Sequence, residues 1–177
     1  MAGVARAITP ENFASLLDPL MREVLQQGFT AAGAHEGTLW LLDANAQNLV
    51  PAFNTGPSAQ KIVNHFRQPL ASGVISMVLA SEQPFIENEV FKNTRQSKLL
   101  DAALLVQTYA LIAVPFYFLK NCCGVISCVQ LKTPGSQAPD PPGFAPSALI
   151  PIQTATTLIS RLLEYRVLSS TVDWAAD

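Results

Sequence analysis

Apolar and polar positions alternate in two rhythms along this chain, and the change between them marks out the elements. Thr9 ahead of Pro10 and Glu11 reads as a helix start, a hydroxyl cap followed by a proline whose missing N–H costs nothing. Asp18 and Pro19 repeat that signal, so a short first helix should be followed by a second over about Pro19–Ala32. There Leu20, Val24 and Leu25 recur at helical spacing, and Gly33 supplies the stop. The rhythm then shortens: "GTLWLLD" and "NLVPAFN", joined by the polar "ANAQ", read as a hairpin. "QKIVNHF" predicts a short helix, "ASGVISMVLASEQP" a longer one ended by Pro84, and "PFIENEV" a short strand. Asn88 to Gln96 is mostly polar and reads as loop or irregular helix. Tyr109–Phe118 and Cys123–Leu131 form a second hairpin around Lys120 and Asn121. Residues 133–146, with five prolines and two glycines, read as a surface loop. From Ser147 helical spacing returns, with Ile152, Ala155, Ile159, Leu162 and Tyr165 on one stripe.

Hairpins pair antiparallel, so this order predicts an α+β fold: a central antiparallel sheet with helices on both faces. No internal repeat or second core is visible. The division expected is an N-terminal segment with its short helix over 1–17 and a single domain over 18–177. The proline-rich loop lies within that domain, and its terminal helix spans about 147–170. The terminal helices are expected to form a helical bundle with a second copy.

Composition narrows the partners. Of 177 residues, 49% are hydrophobic and only 14% charged, with net charge −2, too few charges to solvate a whole surface; some apolar surface should meet a partner. Lys and Arg form no run, which argues against a nucleic-acid or anionic-membrane footprint. The start "MAGVARAITPEN" has no apolar signal core, and the longest apolar run, Tyr109–Leu119, is well short of the roughly 20 residues a spanning helix needs. A cytoplasmic setting is expected.

The segments "GTLWLLD", "LVPAFNTG", "PLASGVISMVLASEQPFIENEV" and "TYALIAVPFYFLKNCCGVISCVQLK", in that order, resemble a GAF domain, the small-ligand sensor module of cyclic-nucleotide phosphodiesterases, phytochromes and bacterial signalling proteins. The resemblance covers about residues 18–165. Its most specific parts are the glycine opening a helix at Gly73, the apolar strand at Gln83–Ile86, and "AVP" followed by "GVISCVQL". It implies a ligand pocket on one face of the sheet and terminal helices that often pair in a dimer. By the order of the matching segments, the pocket positions fall on Thr38, Phe53, Asn54, Val74, Ile75, Asp101 and Thr108. Phe53 suits stacking, Asp101 or Thr108 suits hydrogen bonding, and Ala71–Val74 would offer backbone amides to an anion. The family's nucleotide signature is broken, however. Leu131 stands before Lys132 where an Asn is wanted, and Ala148 and Leu149 stand after Phe144 where Asp and Glu are wanted. The specific case for a cyclic nucleotide therefore falls away.

All three cysteines lie within seven positions, Cys122 to Cys128. On an uninterrupted strand Cys122 and Cys128 would share a face about 20 Å apart, beyond bridging, with Cys123 on the other face. "CCxxxxC", with histidines only at His35 and His65, lacks the converging pairs of a zinc site, so no metal is expected. His65 could be a haem ligand or a helix-end residue, and His35 follows a helix end. Some GAF-like proteins reduce free methionine sulfoxide, with thiols on separate segments around the pocket, unlike here; bilin carriers use a Cys-His pair absent from this chain. No tetrapyrrole or other cofactor and no catalysis are expected. The functional expectation is a regulatory domain that binds a small intracellular ligand and signals through a partner or dimer. The alternatives are a dimerisation module with a vestigial pocket, or a redox-sensing or sulfoxide reductase-like protein.

Overall fold

The computed structural model describes residues 8–171. The outer parts of the expected N-terminal segment and of the expected domain end, residues 1–7 and 172–177, lie outside the described residues. The elements run α1 (Pro10–Leu16), α2 (Pro19–Ala31), β1 (Glu36–Leu42), β2 (Asn48–Asn54), α3 (Ala59–Ile62), β3 (Gln68–Pro69), α4 (Val74–Ser81), β4 (Phe85–Glu87), α5 (Leu99–Leu104), β5 (Gln107–Phe118), β6 (Asn121–Lys132) and α6 (Leu149–Thr171). The strands form one antiparallel sheet in the order β3-β2-β1-β6-β5-β4. The fold is α+β, with helices on both faces.

Local chemistry starts the helices where the sequence places them. Thr9 and Asn12 exchange the reciprocal side-chain bonds of a capping box at α1. Asp18 Oδ1 accepts the Met21 amide 2.9 Å away at the start of α2. Gly73 precedes α4 with φ 96°, a backbone angle that side-chain-bearing residues rarely adopt. The β5–β6 turn passes through Leu119 and Lys120, both left-handed. Its Leu119 amide donates to Glu164 Oε1 at 3.0 Å, and Ser160 Oγ donates to the Tyr117 carbonyl at 2.7 Å. The turn is thereby tied to α6.

Two apolar clusters lie on opposite faces of the sheet. The larger joins Phe13 of α1, Leu25 and Phe29 of α2, and Ile152, Ile159 and Leu163 of α6 to the sheet residues Ile112, Phe116, Ile126 and Cys128. The smaller joins Val74, Ile75 and Val78 of α4 to Trp40, Leu111 and Val125. At Gly28 an added Cβ would stand 2.7 Å from that of Ala155, so the missing side chain is what lets α2 and α6 touch.

The stripe expected to meet a second copy is largely spent inside the chain. Ile152, Ala155 and Ile159 are buried in its own core, Leu163 rather than Leu162 continues the buried line, and Tyr165 is 75% exposed. A helix packed on a sheet and on a neighbouring helix buries a broad face, and a single stripe read from sequence does not say against what. Three features were absent from the sequence reading: the two-residue β3, α5, and the pinning of the proline-rich loop. Phe144 is buried in the larger cluster, and Asn88 exchanges side-chain hydrogen bonds with both the amide and the carbonyl of Phe144.

Candidate functional site

On the α4 side of the sheet, the strands do not close fully against their cover and leave a cavity of about 60 Å³. Its floor is the sheet: Thr38 and Trp40 of β1, Ser127 and Val129 of β6, Thr108 and Leu111 of β5. Gly73, Val74 and Ile75 at the start of α4 form one wall, with Gln68 of β3; α5 covers it through Leu100, Asp101 and Leu104. Glu36 lines it from the first position of β1. Behind α5, a shallower groove of about 510 Å³ shares Gln96, Asp101 and Val106 with the inner cavity, so α5 is a thin partition. None of its residues is buried.

Polar groups stand at chosen places in this apolar lining. The Trp40 indole N–H donates to Ser127 Oγ at 2.9 Å, and Asn54 Nδ2 donates to Thr38 Oγ1 at 2.8 Å. Both hydroxyls are buried and used as acceptors, while their own O–H groups meet no acceptor among the described residues. Gln68, also buried, donates through Nε2 to the carbonyls of Pro69 and Ser72. Asp101 holds α5 onto β5: its two oxygens accept the Thr108 amide at 2.8 Å and the Thr108 hydroxyl at 2.7 Å. Burial holds the Glu36 carboxyl above its ordinary pKa, partly offset by the neighbouring Asn54 amide.

Of the seven positions named from sequence, Thr38, Val74, Ile75, Asp101 and Thr108 line the cavity. Asn54 stands behind Thr38, donating to it while accepting the Gly56 amide at 2.7 Å, and so positions the lining without forming it. Phe53 lies on the opposite face, in the larger cluster and under the Arg22 guanidinium at 5.7 Å. Adjacent residues of a strand face opposite sides, so Phe53 and Asn54 cannot both serve one pocket. The sequence reading passed over Glu36, Trp40, Gln68 and Ser127. Ser127 carried a signal, a lone hydroxyl inside the apolar run "GVISCV".

None of the cysteines lines the cavity, although Cys128 sits between the lining residues Ser127 and Val129. The alternation assumed from sequence is interrupted by an irregularity where Tyr117 pairs with Cys122 and Phe116 with Gly124. The extra residue brings Cys123 against the same cluster as Cys128, the reverse of the expected facing. Burial pushes the Cys123 and Cys128 thiols up to about 12 and raises Cys122 as well, where the Glu82 charge adds to the effect. All three are free. Among the described residues no three His, Cys, Asp or Glu side chains gather as a metal site, and no helix is long and apolar enough to cross a membrane.

No family model and no curated protein matches the sequence. Solved structures do match. The GAF domain of an Acinetobacter phosphoenolpyruvate-protein phosphotransferase aligns over 91% of this chain and 96% of its own at TM-score 0.62 and 15% identity. The GAF domain of the Coxiella burnetii phosphoenolpyruvate-protein phosphotransferase aligns over 93% and 100% at TM-score 0.64 and 12% identity. A type II free methionine-R-sulfoxide reductase from Thermoplasma acidophilum aligns over 82% and 96% at TM-score 0.55 and 14% identity. The chain has the fold of GAF domains.

Proposed function

We propose that this chain is a non-catalytic regulatory domain whose ligand is a small polar molecule held between the sheet and α4–α5. The observation that carries this reading is the lining itself. Buried Ser127 and Thr38 hydroxyls, each accepting one hydrogen bond and donating none among the described residues, face a void whose walls are largely apolar. Each hydroxyl keeps an O–H free to donate to an acceptor placed in the void. A few convergent polar groups in an apolar hollow are what small-ligand recognition requires.

Size limits the ligand in this closed form. A volume of 60 Å³ corresponds to about four to six water positions, and thus to a ligand of few non-hydrogen atoms. At a ceiling of about 1.5 kcal/mol per atom, five atoms give at most about 7.5 kcal/mol, a dissociation constant no tighter than micromolar. A larger or tighter ligand needs α5 to move outward, joining the cavity to the groove behind it. The Asp101–Thr108 bonds are what that motion would break. The output path favoured by the contacts runs along the β5–β6 hairpin to α6, through Ser160 and Glu164.

Catalysis by the cysteines is disfavoured. A reductase needs thiolates in reach of substrate, whereas burial raises the pKa of all three thiols and none of them lines the cavity.

The same reading includes a homodimer. Leu20 of α2 and Ile150, Leu158, Tyr165 and Leu168 of α6 are large apolar side chains left exposed, and Ile150 and Leu158 border a groove between the two helices. In a chain this poor in charge, a second copy is the occupant we assign to that face, and Leu158→Glu should shift the protein to monomer in sedimentation at about tens of micromolar. The ligand is tested by native mass spectrometry of freshly purified protein. A retained small molecule supports the sensor. An empty dimer, together with no stabilising compound in a screen, would leave only the dimerisation module.

A further inference from the structure

The wall of the cavity carries two carboxylates, Glu36 and Asp101, and no Lys, Arg or His. The two carboxylates differ in what they have left to offer. Asp101 spends both oxygens on Thr108. Glu36 forms none of the ion pairs among the described residues; beside it stand Gly56 and the Asn54 amide, whose second N–H is a neutral donor to the carboxylate and leaves its charge without a cation. Gln68 supplies a second, independent sign. It is 3% exposed, its Nε2 is used twice, and its Oε1 accepts no hydrogen bond from any described group. The cavity therefore presents a carboxylate with no cationic partner and an amide oxygen that accepts no hydrogen bond among the described residues.

Resting on the sensor reading above, we propose that the cavity selects a small cationic donor, a protonated amine or amidinium, that pairs with Glu36, and that it rejects small anions. An N–H of such a ligand supplies what Gln68 Oε1 lacks, and a charge-assisted bond to a carboxylate is about twice as strong as a neutral one. The first turn of α4 acts the other way, because its free amides draw negative charge. It amounts to about half an elementary charge, against a full charge on Glu36 alone. The Ser127 and Thr38 hydroxyls remain to donate to a second polar atom of the ligand or to water.

Acetamidinium, acetamide and acetate are nearly the same size and differ in charge, so they isolate this claim. Each is titrated into isotope-labelled protein at neutral pH, following the backbone amides of Thr38 and Ser127 by NMR. The proposal expects acetamidinium to bind at least tenfold more tightly than acetate. It further expects Glu36→Gln to remove that advantage, bringing acetamidinium to the level of acetamide. Glu23→Gln, on the exposed side of α2, should leave wild-type binding. Acetate binding as tightly as acetamidinium, or acetamidinium binding unchanged in Glu36→Gln, overturns the cationic assignment while the sensor reading stands. If none of the three perturbs the cavity amides, the cationic assignment falls and the sensor reading loses its support with it.

Discussion

The two faces of the central sheet are made by the same strands and are finished in opposite ways. Toward α1, α2 and α6, strands β5 and β6 present Ile112, Phe116, Ile126 and Cys128, each at 0% exposure, against Phe13, Leu25, Ile152 and Ile159, at the same value. Toward α4 and α5 the intervening positions are Thr108, Ser127 and Leu111, and they end on a void under a helix with no buried residue. One face invests its side chains in close packing, the source of most folding free energy. The other withholds packing at one place and sets polar groups there instead. The site proposed above thus lies where packing is least developed, as expected of a region proposed to open.

If that contrast is right, substitutions on the packed face should damage the whole molecule. Phe116→Ala removes a ring in edge contact with Phe13, 6.5 Å between centroids, and should cost about 3–5 kcal/mol in denaturant unfolding. Cys128→Ser sets a hydroxyl among apolar neighbours and should cost about 1–3 kcal/mol, whereas half-buried Cys122→Ser should be nearly neutral in the same measurement.

Substitutions on the cavity face should act locally. Asp101→Ala frees the Thr108 amide and hydroxyl, and amide exchange should quicken in α5 and at Thr108 by about tenfold or more. That corresponds to about 1.4 kcal/mol of local opening, with a much smaller change in global stability. The smallest effect should have the opposite sign. Because the folded protein holds the Glu36 carboxyl above its unfolded value, the protonated form favours folding. That contribution is full below the ordinary carboxylate pKa and is lost as pH rises through the raised value. Glu36→Gln should therefore stabilise the unliganded protein at pH 7, by well under about 1 kcal/mol once solvent screening is allowed for. Thermal melts should show the gap from wild type closing as pH falls through the raised value and gone below the ordinary carboxylate pKa.

What the sequence revealed follows the range of the interactions involved. Caps at Thr9 and Asp18, the glycine at Gly73 and both hairpins are settled within a few residues, and they are legible. Pairing across distant segments is not. The irregularity between Leu39 and Trp40 brings Leu39 opposite Phe53 and Thr38 opposite Asn54, which sends Phe53 to the packed face. A second one reverses the cysteines. Helix α5 lacks a legible signal because its six residues make less than two turns, with one inward pair, Leu100 and Leu104, and no fully buried residue. Glu36 and Gln68 were missed for a related reason: each looks like a surface residue until β1 and β3 are laid beside the start of α4. Phe144, in a loop of prolines, gave no sign that Asn88 would hold it in the core.

The central claim is that a ligand enters the space under α5, and filling that space tests it most directly. Leu104 lines the cavity and is only partly buried, so Leu104→Trp should occupy much of the 60 Å³ while leaving the packed face untouched. A thermal-shift screen over amines, amino acids, nucleotides, small organic acids and tetrapyrroles is run on both proteins. A binder at a hundredfold excess over its dissociation constant should stabilise the wild type by about 2.7 kcal/mol. The account predicts at least one compound that raises the melting temperature of the wild type and leaves Leu104→Trp unmoved. Equal shifts in both proteins would place binding elsewhere, and no shift in the wild type across the screen would contradict the claim outright.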